Sequence, residues 1–122
     1  MSRRVLASIV VLASLALAAC GSSGGGSGVT KAATGGAVTV VASDIKFDVG
    51  KITASAGPLT VTLENHGAIE HTFKIDGTSL LLKTNAGASA TGTVTLNKGT
   101  YDFECTIPGH KAQGMKGTVV VS

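Results

Sequence analysis

Short stretches of the chain alternate between aliphatic and polar positions, with the period of two that an extended strand requires. In Leu59-Thr60-Val61-Thr62-Leu63 and in Thr93-Val94-Thr95-Leu96 the aliphatic side chains fall on one face and the threonines on the other. Elsewhere β-branched and aromatic residues recur in brief runs punctuated by Gly, Asn, Asp and Pro, and no segment shows a long helical period. The expected strands are Val38 to Ala42, Lys46 to Val49, Lys51 to Ala54, Leu59 to Asn65, His71 to Ile75, Leu80 to Leu82, Gly92 to Leu96, Gly99 to Cys105 and Gly117 to Val121. Asn97-Lys98-Gly99 is a turn signal between Val94/Leu96 and Tyr101/Phe103, so the last strands are expected to form hairpins in an all-β, antiparallel sandwich.

The first 36 residues break this pattern. Arg3 and Arg4 precede an uncharged apolar run, Val5 to Ala19, which reads as a secretory signal over residues 1–19 and is short for a membrane span. Leu17-Ala18-Ala19-Cys20 resembles a bacterial lipobox, in which cleavage before the cysteine leaves Cys20 to carry acyl chains. Ordinary cleavage would instead leave Cys20 as a free thiol. Residues 20–36 are nearly all Gly, Ser, Ala and Thr beyond that cysteine, too poor in apolar surface to offset their ordering entropy. They are expected to form a flexible tether, spanning roughly 25 Å by random-coil scaling, that anchors the domain of residues 37–122 without fixing its orientation. The protein would then be exported and held by its lipid on the outer face of the cell membrane, or on an outer membrane facing the periplasm.

Charge narrows the function. The whole chain carries a formal +3, but losing Arg3 and Arg4 leaves eight basic residues against seven acidic ones. With no Lys/Arg cluster, no Trp and only Phe47, Phe73, Tyr101 and Phe103 as aromatics, nothing suits a phosphate backbone or stacked bases, so nucleic acid is an unattractive partner. Glu64, Glu70 and Glu104 fall into no acid/base motif, and no nucleophile elbow accompanies the lone cysteine of the domain, so no enzymatic role is expected. Cys20 and Cys105 have separate explanations, and no disulfide is expected between them.

The informative segment is Cys105-Thr-Ile-Pro108-Gly109-His110-Lys-Ala-Gln-Gly114-Met115. Taken singly, a Cys is usually a small buried hydrophobe, a His a polar surface residue and a Met core packing. Here a thiolate, an imidazole and a thioether stand with four residues in each gap, and Pro108-Gly109 favours a turn that brings them together. These are the donor types of a blue copper site. A further ligand must come from elsewhere. His71 is favoured because it opens the run Thr72-Phe73-Lys74-Ile75, with His66 in the preceding turn as its competitor.

Asn65-x-Gly67-x-x-x-His71-x-Phe73 together with Cys105-x4-His110-x4-Met115 resembles the cupredoxin family, across essentially all of residues 37–122. The four-and-four loop is similar to that of rusticyanin and sulfocyanin. The resemblance implies a Greek-key β-sandwich and one type 1 copper, with His71, Cys105 and His110 as equatorial ligands and Met115 as a weak axial one. Glu70 stands where azurin supplies a glycine carbonyl, which argues against a fifth ligand, and Thr72 replaces the asparagine that azurin places after its first histidine. The resemblance further implies that Thr72 and Thr106 tune the copper-bound sulfur. It also implies that His110, flanked by Ile107, Pro108, Gly109 and Ala112, passes electrons through an apolar surface with Lys111 and Lys116 at its rim.

The function implied is single-electron transfer by a monomer to redox protein partners. A copper nitrite reductase would need a second domain, and a binuclear centre a second loop thiolate. Extracytoplasmic copper buffering or delivery is the other reading, and the ligand set alone does not separate the two.

Overall fold

A computed structural model describes residues 27–122. The signal segment 1–19, Cys20 and the tether as far as residue 26 lie outside them. Ten strands form two sheets packed face to face: β1 Thr30–Ala32, β2 Ala37–Ser43, β3 Lys46–Phe47, β4 Lys51–Ala54, β5 Gly57–Asn65, β6 His71–Ile75, β7 Leu81–Thr84, β8 Ser89–Leu96, β9 Gly99–Glu104 and β10 Lys116–Val121. One sheet has the order β1-β4-β10-β9-β6-β7, the other β3-β2-β5-β8. Both are mixed, because β4 runs parallel to β1 and β10, and β2 parallel to β5, while the other neighbours are antiparallel.

Alternation in the sequence becomes alternation in burial. Val38, Val40 and Ala42 of β2 and Leu59, Val61 and Leu63 of β5 face inward, while Thr60 and Thr62 face out and hydrogen-bond across to Thr93 and Thr91 of β8 at 2.9 and 3.1 Å. Phe47, Phe73 and Phe103 meet inside with ring centroids 4.9 to 5.8 Å apart. Edge-to-face and tilted pairs of this kind add about 1 kcal/mol each beyond the area they bury. Phe73 lies two residues after His71 and Phe103 two before Cys105, so the aromatic cluster fixes the strands that carry both candidate ligands.

Two expectations need correction. Asn97-Lys98-Gly99 does not close a hairpin, because β8 and β9 belong to different sheets. Leu96 and Phe103 enter the core from opposite layers, and the Tyr101 hydroxyl secures the crossing by donating to the Asn97 carbonyl at 3.0 Å. The antiparallel expectation does hold for β9 and β10, whose connection is the Cys-His-Met loop.

Nor are residues 30–32 the flexible linker that their composition suggested, since Thr30–Ala32 forms β1 in register with Lys51, Ile52 and Thr53 of β4. Its stability comes from backbone pairing and from Lys31, whose ammonium donates to the Asp48 carboxylate and to the Thr39 carbonyl. Neither contribution leaves an apolar signature in the sequence.

Candidate metal centre

His71, Cys105 and His110 come together at one end of the sandwich, with one potential donor atom from each lying within 4.8 Å of the others. All three are buried, Cys105 carries a free thiol, and His110 alone retains a little exposure, 7%. His66 is not among them. It lies on the surface, 3.3 Å from Glu64.

The ladder between β6 and β9 explains how the thiol is aimed. Regular pairing ends at Lys74 opposite Glu104. One step further on, the Thr72 hydroxyl accepts the Thr106 amide at 2.7 Å, in place of a backbone carbonyl, and the strands part around Cys105. The Thr72 amide then points at the Cys105 sulfur from 3.4 Å, and its hydroxyl from 3.6 Å. The Thr106 hydroxyl lies 2.8 Å from that of Thr72; donating to it leaves the Thr72 proton free for the sulfur. Two donors thus converge on the sulfur from the Thr72 side and fix where it lies.

His71 is held from behind. Its Nε2 lies 3.2 Å from Oδ1 of Asp44, a residue in the turn after β2. Its Nδ1 is buried and meets no protein partner. A carboxylate that accepts the Nε2–H sets the tautomer in which Nδ1 presents a lone pair. Asp44 is itself fixed by the Ala68 amide, which, with the His71 contact, holds its carboxyl below the ordinary carboxylate value.

The Asn65-x-Gly67 pattern now has a physical reason. Asn65 closes the turn by donating to the carbonyls of Ile69 and Thr84 at 2.8 and 3.2 Å and by accepting the Gly67 amide at 2.9 Å. A Cβ on residue 67 would stand 2.2 Å from Oδ1 of Asp44, so glycine is what lets the carboxylate reach His71. Asp44 was not found from the sequence, since it lies 27 residues before the histidine in an unremarkable turn.

The loop from Cys105 to Met115 is cinched by its own backbone. The Cys105 amide donates to the Met115 carbonyl at 3.0 Å, and the Met115 amide to the His110 carbonyl at 3.1 Å. The His110 amide returns to Ile107 at 3.0 Å, and Gly109 adopts φ 84° in the Pro-Gly turn. Met115 is fully buried at the end of this coil. His110 Nδ1 faces the Cys105 sulfur at 3.5 Å. Burial, and then repulsion from His71, lowers the pKa of His110 and favours the neutral imidazole that ligates metal.

The carboxylates considered as acid/base candidates are each committed elsewhere. Glu64 contacts His66, Glu70 pairs with Lys83 at 3.2 Å, and Glu104 pairs with Lys111. Lys111 is therefore partly neutralised, its pKa raised by Glu104, and the rim is less basic than the sequence implied.

A buried thiol, two buried imidazoles and one unpartnered ring nitrogen fit a soft or borderline metal ion far better than a hard one. Fold and cluster together define a small β-sandwich domain of the cysteine-histidine metal-binding type. The chain belongs to the cupredoxin-like domain family, whose profile matches residues 5–121. It is 34% identical, over 108 residues, to the copper-resistant cuproprotein CopI of Rubrivivax gelatinosus, an alignment covering 69% of this chain. The chain spans only 65% of that protein's length. Among solved structures it is similar to auracyanin from the photosynthetic bacterium Roseiflexus castenholzii, with a TM-score of 0.65 at 24% identity, covering 74% of this chain and 98% of the other. Auracyanin B gives a TM-score of 0.64 at 25% identity, covering 80% and 96%.

Proposed function

We propose that this protein carries single electrons through one type 1 copper, which His71, Cys105, His110 and Met115 would hold. The observation that carries the reading is the buried convergence of those three donors within 4.8 Å, with His71 Nδ1 left without a protein partner. Bound there, copper would supply a one-electron couple. The chain's contribution is rigidity: β6 carries His71, Cys105 follows directly on β9, Asp44 locks one imidazole, and the backbone-bonded loop locks the other. A site that hardly rearranges between oxidation states exchanges electrons with little reorganisation. His110 is the one cluster histidine with an exposed edge, and it provides the route to a redox protein partner.

Copper buffering or delivery is a second reading, favoured by the kinship with a copper-resistant cuproprotein. In either case we propose export and lipid attachment through Cys20, and a monomeric domain. Visible and electron paramagnetic resonance spectra of the copper-loaded protein test the site: intense sulfur-to-copper colour is expected, lost in Cys105→Ser and kept with an altered potential in Met115→Gln. A colourless Cu(II) complex would refute both readings. Reversible one-electron cycling with slow metal release would support transfer; rapid loss of copper to a chelator would support delivery.

A further inference from the structure

We propose that β1 turns the tether around, so that the chain leaves the domain at the metal-loop end and holds the His110 face toward the lipid surface, where its electron exchange is with membrane-bound redox proteins. This rests on the lipid attachment and electron transfer proposed above.

Strand directions carry the argument. β10 begins at Lys116, directly after Met115, and runs away from the loop; β4 and β1 run parallel to it, with Thr30 opposite Lys51 and Lys51 opposite Thr118. The residues before β1 therefore sit at the loop end. The Val29 carbonyl accepts the amides of Gly50 and Lys51 at 2.9 and 3.2 Å. The Ser27 backbone lies so close to Gly50 that a Cβ there would stand 1.6 Å from the Ser27 oxygen, so only glycine admits the chain. Ser27 borders one groove with Glu104, Lys111 and Lys116, and another with Lys46, Gln113 and Gly114.

Without β1 the exit would be at the other end. β2 runs parallel to β5, which heads toward Asn65 and the His71 turn, so Ala37 starts far from the loop. Ala32 and Ala33 lie there beside Ser55 and Ser122.

Length makes the exit point decisive. Six residues, or seven Cα–Cα steps, separate Cys20 from Ser27. A flexible chain of that length spans roughly 15 Å typically and about 25 Å at full extension. The nine residues of β5 alone span roughly 30 Å. The tether is thus shorter than the domain, and the end from which it leaves is the end that faces the lipid. Lys46 and Lys116, both exposed beside the exit, suit an anionic surface.

The test uses the full lipidated chain in phosphatidylcholine/phosphatidylglycerol vesicles that contain an energy-acceptor lipid. A donor dye is placed on Ala112→Cys in the loop or on Ser55→Cys at the opposite end, both exposed positions. Cys105 is buried and Cys20 acylated, so the dye goes to the new thiol. Donor quenching about twofold or more greater at 112 than at 55 is expected, and deletion of residues 28–35, which moves the exit to Ala37, should reverse the order. Equal quenching, or more at 55, in the intact chain overturns the proposal, even if the deletion variant fails to fold. Failure of the anchor itself is recognised separately, as a mature chain whose mass shows no acyl groups and which does not float with vesicles. No copper is needed for this readout, so a metal-free result still decides it.

Discussion

Asp44 and His71 meet at 3.2 Å between carboxylate and Nε2, and this contact leaves Nδ1 as the ring atom available inside the cluster. The carboxylate comes from a turn of one sheet and the histidine from a strand of the other, so the pair also ties the layers together at the metal end.

Replacing Asp44 by Ala should release the imidazole to rotate without removing a ligand. Loss of such an outer partner typically costs 10- to 100-fold in metal affinity, and about that loss is expected in competition titration against a copper chelator. Affinity equal to the parent protein would show that Asp44 does not orient His71.

Gly67→Ala should reproduce part of that effect from the opposite side of the contact. The added methyl would occupy the position of the Asp44 carboxylate. Copper affinity should fall, and combining the variant with Asp44→Ala should add little further loss, as expected of two changes acting on one contact.

Thr72→Val removes the hydroxyl that faces the sulfur at 3.6 Å and accepts the Thr106 amide. A thiolate with fewer donors is a stronger electron donor and favours Cu(II), so the potential should drop. If the lost bond differs by on the order of 1 kcal/mol between oxidation states, the drop is roughly 40 mV for a one-electron couple, readable by voltammetry. A rise in potential would contradict the assignment.

Phe103→Ala should open a cavity between Phe47 and Phe73 and lower stability by about 3–5 kcal/mol in denaturant unfolding. In parent and variant alike the copper-loaded form should be the more stable of the two, because metal binding favours the folded state.

Lys116→Glu should slow reaction with an acidic redox partner at low salt, and the effect should fade as salt is raised past the screening range. Lys111→Glu should slow it less, since Glu104 already engages Lys111.

Much of this was legible in the sequence because its signals are local. The alternation along β5 and β8 reports burial directly, and the Cys-His-Met loop places three candidate donors within eleven residues, 105–115. What escaped depends on partners distant in the chain. β1 has no apolar period and exists through β4 and Asp48; Asp44 matters only once the Gly67 turn folds over it; Asn97-Lys98-Gly99 reads as a hairpin until β9 finds β6 and β10 instead.

The bond between the Cys105 amide and the Met115 carbonyl makes the intervening segment a cassette. Because β9 and β10 are already in register up to Glu104 and Lys116, the strand pairing is complete beneath the loop, whose Cys105 and Met115 join the core while Lys111, Ala112 and Gln113 stay exposed. Loops of other lengths, spliced between the same two strand ends, should be accepted by this scaffold, making it a frame on which the donor set of the site can be varied with the two sheets left as they are.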